Sequence, residues 1–263
     1  MRCDISAPVD RSNRRTLRAS SLTLVRVVAV VFCVLVAFGV AADDDPNVRQ
    51  DLKQWTLFRL SDPIGEKWTF SFQYEIRFGE DISALDQWIV KPYASYKLGE
   101  NFDLNFGYKY IYRPDSFNEQ DPWFEPVFLR HYGKMAVSHQ VRFEARLLEN
   151  VDGVLPRVRY HFHFAHPWGD SGRYFGGSGA VRFNLGDKGD GTPVEGFEQS
   201  RLYAGVGWHV GRMSKTRLEV GYLWRYERQR TEPNWSDHVI RLQILFNTKG
   251  KKVRTPLPHE SYR

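Results

Sequence analysis

The sequence predicts an all-β fold, an antiparallel transmembrane β-barrel of about ten strands preceded by a cleavable signal peptide. Three observations predict it: runs in which aromatic and polar residues alternate without a fault, connections that alternate between short and long, and an N-terminal leader with the features of an export signal. Composition agrees. Across 263 residues, charged side chains make up 26% and mean hydropathy is −0.49, which excludes a bundle of apolar membrane helices. Aromatics at 15% exclude a disordered chain, which would be poor in them.

The leader comes first. In residues 1–42, Arg2, Arg11, Arg14, Arg15, Arg18 and Arg26 stand against Asp4 and Asp10. That segment therefore holds +4 of the chain's formal +6 and most of the basic pI of about 9.3, so a nucleic-acid partner is not expected. Val27 to Val40 is an apolar run of signal-peptide length, and Val40-Ala41-Ala42 supplies the small residues a signal peptidase needs, with cleavage after Ala42. A membrane-spanning helix needs about 20 apolar residues, and reaching that length takes in Arg26. Both cysteines, Cys3 and Cys33, lie in the leader, so disulfides and thiolate chemistry are excluded from the mature chain.

Strands follow from Trp68. Trp68, Phe70, Phe72, Tyr74, Ile76 and Phe78 alternate with Thr69, Ser71, Gln73, Glu75 and Arg77. Successive side chains of a strand point to opposite sides, so one face is aromatic and the other ionisable. The pattern recurs in Phe102 to Arg113, Gln140 to Leu147, Arg157 to Phe164, Gln199 to Val210, Arg217 to Tyr226 and Ile240 to Asn247. Three further runs are less regular: Gln87 to Leu98 contains Pro92, Trp123 to Tyr132 is expected to change register near Pro126, and Arg173 to Leu185 is rich in glycine. Most runs reach about 10 to 12 residues, longer than a soluble strand and close to the length that crosses a bilayer at a tilt.

Short links at Gly99-Glu100, 133–136, 167–172 and 211–214 alternate with longer ones at 79–86, 114–121, 149–156, 186–198 and 227–236. An outer-membrane barrel has short periplasmic turns and longer outer loops. The expected division is a signal peptide 1–42, a periplasmic or lumenal segment 43–66, the barrel 67–247 and a basic tail 248–263, with both barrel ends on the periplasmic side. Leu52 to Leu60 also has strand character, and twelve strands is the alternative count. A soluble β-sandwich would favour Val, Leu and Ile on its apolar faces; here they carry Trp, Tyr and Phe, the residues of membrane-interface girdles.

Taken in order, Trp55, Glu75-x-Arg77, Gly107-Tyr108, Arg142-x-Glu144-x-Arg146, Arg157-x-Arg159-Tyr160, Gln199-x-Arg201-x-Tyr203-x-Gly205-x-Gly207 and Glu219-x-Gly221-Tyr222 resemble the bacterial family known as domain of unknown function 2490. The resemblance spans roughly Leu52 to Asn247. It implies an exported outer-membrane barrel with no established activity, and it supplies no catalytic residues. The chain departs from the common outer-membrane pattern in that the strand ending at Phe246 is followed by a basic tail, Lys249 to Arg263, and not by an aromatic terminus.

The polar faces place Arg77, Lys91, Lys109, Arg142, Arg146, Arg157, Arg159, Arg201, Arg217, Arg225 and Arg241 toward the lumen, with Glu75, Asp103, Glu144 and Glu219. Two functions fit: a closed structural barrel filled by Arg–carboxylate ladders, or a narrow anion-preferring channel. No cofactor is expected. His161 and His163, two apart on one face, are the weak metal candidates. The competing class is a barrel hydrolase acting on protein or lipid at its rim, with Asp237-His238 or His131 as base, but no Gly-x-Ser-x-Gly is present. Expected partners are outer-membrane lipid, small anionic solutes and, during biogenesis, the barrel-assembly machinery.

Overall fold

A computed structural model describes residues 48–114, 116–149, 151–169, 171–186, 194–210, 215–231 and 233–249. The leader with its cleavage site, and the tail beyond residue 249, lie outside them.

Eleven strands make up the described fold: β1 (Val48–Ile64), β2 (Trp68–Gly79), β3 (Ala84–Lys97), β4 (Phe102–Tyr112), β5 (Glu119–Tyr132), β6 (Met135–Leu148), β7 (Leu155–Trp168), β8 (Arg173–Asn184), β9 (Gly196–Val210), β10 (Thr216–Glu227) and β11 (Asn234–Asn247). Each pairs antiparallel with its neighbours in sequence, and the sheet closes where β1 meets β11 in parallel, from Val48↔Asn234 to Ser61↔Asn247. Closure leaves no free edge.

The expected count of ten is corrected to eleven. Val48 to Ile64 is a wall strand and not a periplasmic or lumenal segment, so the barrel begins at residue 48 and not 67. Lys53-x-Trp55-x-Leu57-x-Arg59-x-Ser61 points inward and is buried throughout. Trp55 clusters with Tyr203, Leu223 and Val239 of β9, β10 and β11, which fastens β1 to the closing seam. Parity then dictates the parallel pairing, because an odd number of up-and-down strands brings the first and last together running the same way. The barrel's two ends consequently sit at opposite rims: β1 starts beside the links 80–83, 113–118, 149–154, 185–195 and 228–233, hereafter the long-loop rim, and β11 finishes at the short-turn rim.

The register change anticipated at Pro126 does not occur. Phe124↔Phe143 and Val127↔Gln140 preserve one register across β5 and β6 on either side of it, as do Val90↔Tyr110 and Tyr93↔Gly107 around Pro92. Proline lacks the N–H for a ladder bond, so bridges are missing locally while the alternation continues. Real shifts lie elsewhere, at Arg77/Phe78 and Arg182/Phe183.

The aromatic faces point outward. Phe70, Phe72, Phe124, Phe128, Trp168 and Ile240 are each about half exposed, whereas Gln140, Ser138 and Asp121 on the inner wall are inaccessible. This inverts the arrangement of a soluble barrel, whose apolar faces point to its interior.

Candidate functional site

The inner wall is built from period-two strands whose charged residues meet across the lumen. Arg157 sits at the centre of the main network. Its Nε lies 2.5 Å from Glu144 Oε2, its Nη2 3.2 Å from Asp121 and 3.4 Å from Glu119, and its Nη1 3.2 Å from Glu198. Arg146 Nε joins Glu119 at 2.8 Å, Arg159 Nη2 joins Glu144 at 2.6 Å, Arg142 Nε joins Glu125 at 2.7 Å, and Lys109 pairs with Asp121. Across the lumen, Lys53 lies 3.4 to 3.7 Å from Asp51, Asp86 and Asp237, while Arg225 pairs with Asp237 and with Glu227 at 3.2 Å. Several guanidinium groups share a carboxylate with a second cation, so these are networks and not isolated pairs.

Two tryptophans form platforms for the cations. Arg77, Arg201 and Arg225 place Cζ 3.8, 5.1 and 5.7 Å from the ring centre of Trp55, and Arg142 stands 4.0 Å from that of Trp123. The negative ring face attracts each guanidinium and lets like charges share a small space.

A cavity of about 1020 Å³ opens at the long-loop rim between Glu80, Phe117 and Arg230. Its described lining contains seventeen Lys and Arg against eight Asp and Glu. Adding Asp121, Glu125 and Glu144, which stand behind the lining, still leaves a cationic surplus. The lining descends as far as Arg59, Gln73, Lys91, Arg142, His161, Ser178 and Gln243.

On β1, β2, β3, β6 and β11 the next inward position toward the short-turn rim is buried, at Ser61, Ser71, Tyr93, Gln140 and Leu245, and on β8 both Gly176 and Tyr174 are buried, while His163 on β7 is half-buried. Serine cannot be buried on the wall of an empty lumen, so this half is filled. Tyr174 and Tyr203 do much of the filling. The Tyr174 ring lies where a side chain on Gly207 would stand, and Tyr203 occupies the same kind of space over Gly205 and Gly221. Glu219 anchors this floor, accepting from Tyr174 at 2.7 Å and from Gln243 at 2.5 Å. The Gly205-x-Gly207 and Glu219-x-Gly221 motifs are therefore the seats and the latch of two tyrosine rings.

Of the lumen residues expected from sequence, Arg77, Lys91, Lys109, Arg142, Arg146, Arg157, Arg159, Arg201, Arg225, Arg241 and Glu75 line the cavity. Glu144 stands behind the lining, Arg217 and Glu219 belong to the floor, and Asp103 is buried near the short-turn rim. His161 and His163 bond to each other, Nδ1 to Nε2, at 2.9 Å, and among the described residues no group of three metal-ligating side chains forms. Asp237 faces inward to Arg225, while His238 faces outward to Tyr222 at 2.6 Å; they make no catalytic pair. His131 stands on β5 close to the short-turn rim.

Sequence reasoning missed Lys53 and Arg59 because β1 was not counted in the wall. It missed Glu119, Asp121 and Glu125 because two prolines obscured a fault-free alternation, Glu119-x-Asp121-x-Trp123-x-Glu125, and it missed Arg182 and Glu198 beside the bulge.

A family model described as "Protein of unknown function (DUF2490)" matches residues 52–237, from within β1 to β11. The chain belongs to the DUF2490 family. Among its relatives is an uncharacterized protein of Methylorubrum extorquens, 28% identical over 221 residues, covering 80% of this chain and 93% of the relative. The family match begins three residues before Trp55, so β1 belongs to the shared domain and not to a separate appendage.

Proposed function

We propose that this DUF2490 protein is a bacterial outer-membrane β-barrel whose arginine-lined vestibule admits small anionic solutes from the long-loop side and is closed at the short-turn side. The observation carrying the anion preference is the surplus of basic over acidic residues lining the cavity. Fixed positive charge in a narrow, low-dielectric space lowers the entry barrier for anions and raises it for cations. The outward aromatic faces support the membrane setting, since an apolar band around a polar interior is what a bilayer stabilises. The buried floor beneath Tyr174 and Tyr203 favours a blind vestibule over a through-channel.

Planar bilayers test this. The parent barrel is expected to show no discrete conductance at modest voltage. The double variant Tyr174→Ala/Tyr203→Ala is expected to open anion-selective steps, with selectivity reduced by a further Arg159→Ala. Steady conductance of the parent would replace the vestibule by an open channel, and a mature chain soluble without detergent would remove the membrane setting altogether.

A further inference from the structure

Arg142, Arg159 and Arg182 are direct cross-strand partners on β6, β7 and β8, so three guanidinium side chains stand in one row on the inner wall. Like charges directly opposite each other destabilise a sheet, more so away from bulk water. Two of the three are offset inside the protein, Arg142 by Glu125 at 2.7 Å and Arg159 by Glu144 at 2.6 Å. Arg182 is not: among the described residues no carboxylate lies within 4.0 Å of it, and its buried Nε has no hydrogen-bond partner. Arg241 is in the same condition, with its Nε buried and unpartnered. Arg201 faces Arg225 directly and, among the described residues, hydrogen-bonds only to the neutral Gln199. All of these line the vestibule.

We propose that Arg159, Arg182, Arg201 and Arg241 form a binding site for the phosphoryl group of a small phosphorylated solute. A carboxylate offers two oxygens, which one guanidinium fork satisfies. A tetrahedral phosphoryl group presents three oxygens and more charge, which suits donors arriving from β7, β8, β9 and β11. The anion also removes the repulsion that the row of arginines otherwise carries. A cavity of about 1020 Å³ accommodates a solute well beyond the bare ion. The phosphoryl group is taken from a soluble molecule and not from a lipid headgroup, because the cavity opens at the aqueous rim. Only that route of entry rests on the vestibule reading; the site itself stands on the side-chain arrangement.

The experiment is calorimetric titration of the mature chain in detergent micelles with inorganic pyrophosphate, with water-soluble dihexanoyl phosphatidic acid in a parallel arm and sodium chloride as reference. Pyrophosphate is expected to bind at salt concentrations where chloride gives no heat, and to bind at least tenfold more weakly to Arg182→Gln and to Arg201→Gln than to the parent. Arg130→Gln, on the outer face, is expected to bind as the parent does. Arg182→Gln relieves repulsion, so its ligand-free melting temperature should equal or exceed the parent's, which separates lost binding from lost folding. Pyrophosphate heats indistinguishable from chloride, or parental affinity in both inner-wall variants, would overturn the site. Arginine-dependent binding of phosphatidic acid that pyrophosphate cannot displace would overturn the soluble source. None of these readouts uses conductance, so a failure of the vestibule reading in bilayers remains distinguishable.

Discussion

Arg157→Met removes the hub of the inner-wall network while keeping much of the side-chain volume. Its guanidinium lies within 3.4 Å of Glu119, Asp121, Glu144 and Glu198, and only 2% of the residue is exposed. With Arg157 gone, Lys109 and Arg146 are left as the central cations for four enclosed carboxylates, with Arg113 and Arg159 reaching the group from its edges. Breaking a buried ion pair by removing one partner costs about 3–5 kcal/mol, because an uncompensated charge stays behind. The expected loss is therefore about 4 kcal/mol, which at a slope of about 2 kcal/mol/M lowers the urea midpoint by about 2 M. Tryptophan fluorescence of the barrel refolded in lipid follows the transition. Adding Glu144→Gln should recover part of the loss, since it discharges the nearest stranded carboxylate and the two sites share a network. A loss below about 1 kcal/mol, the value of a solvated surface pair, would refute the closed and water-poor network.

Trp55→Ala is expected to cost about 3–5 kcal/mol and to loosen the β1–β11 seam specifically, read as faster amide exchange in β1 than in β5 or β6. Gly207→Val places a side chain where the Tyr174 ring lies, so it should either displace the ring or prevent folding; heat-modifiable gel migration separates the two, and unchanged Tyr174 packing would contradict the seating of the floor. A protease site inserted just before Val48 and one inserted after Asn247 should be cut from opposite sides of the reconstituted membrane, because β1 starts at one rim and β11 ends at the other. Deleting residues up to Ser61 should abolish heat-modifiable migration, since the remaining strands would expose two unpaired edges.

Much of the wall and part of the site could be read from the chain alone. Alternation is a local property: Glu75-x-Arg77 or Arg142-x-Glu144-x-Arg146 reveals which side chains share a face wherever the strand finally sits. The sorting of aromatics to one side and guanidinium groups to the other was therefore written in the residues. Three things were decided only by the tertiary structure, and each is non-local. β1 joined the wall because Trp55 found Leu223 and Val239, far away in the chain, and that contact turned ten strands into eleven and the seam from antiparallel to parallel. The floor arose because Tyr174 and Tyr203 lie down over glycines of neighbouring strands, a fit that no single strand reveals. Which arginines are neutralised depends on the register that set Arg182 beside Arg159 and, among the described residues, left no carboxylate within 4.0 Å of it. Sequence period fixes the direction of a side chain, whereas its partner depends on how the strands are laid side by side.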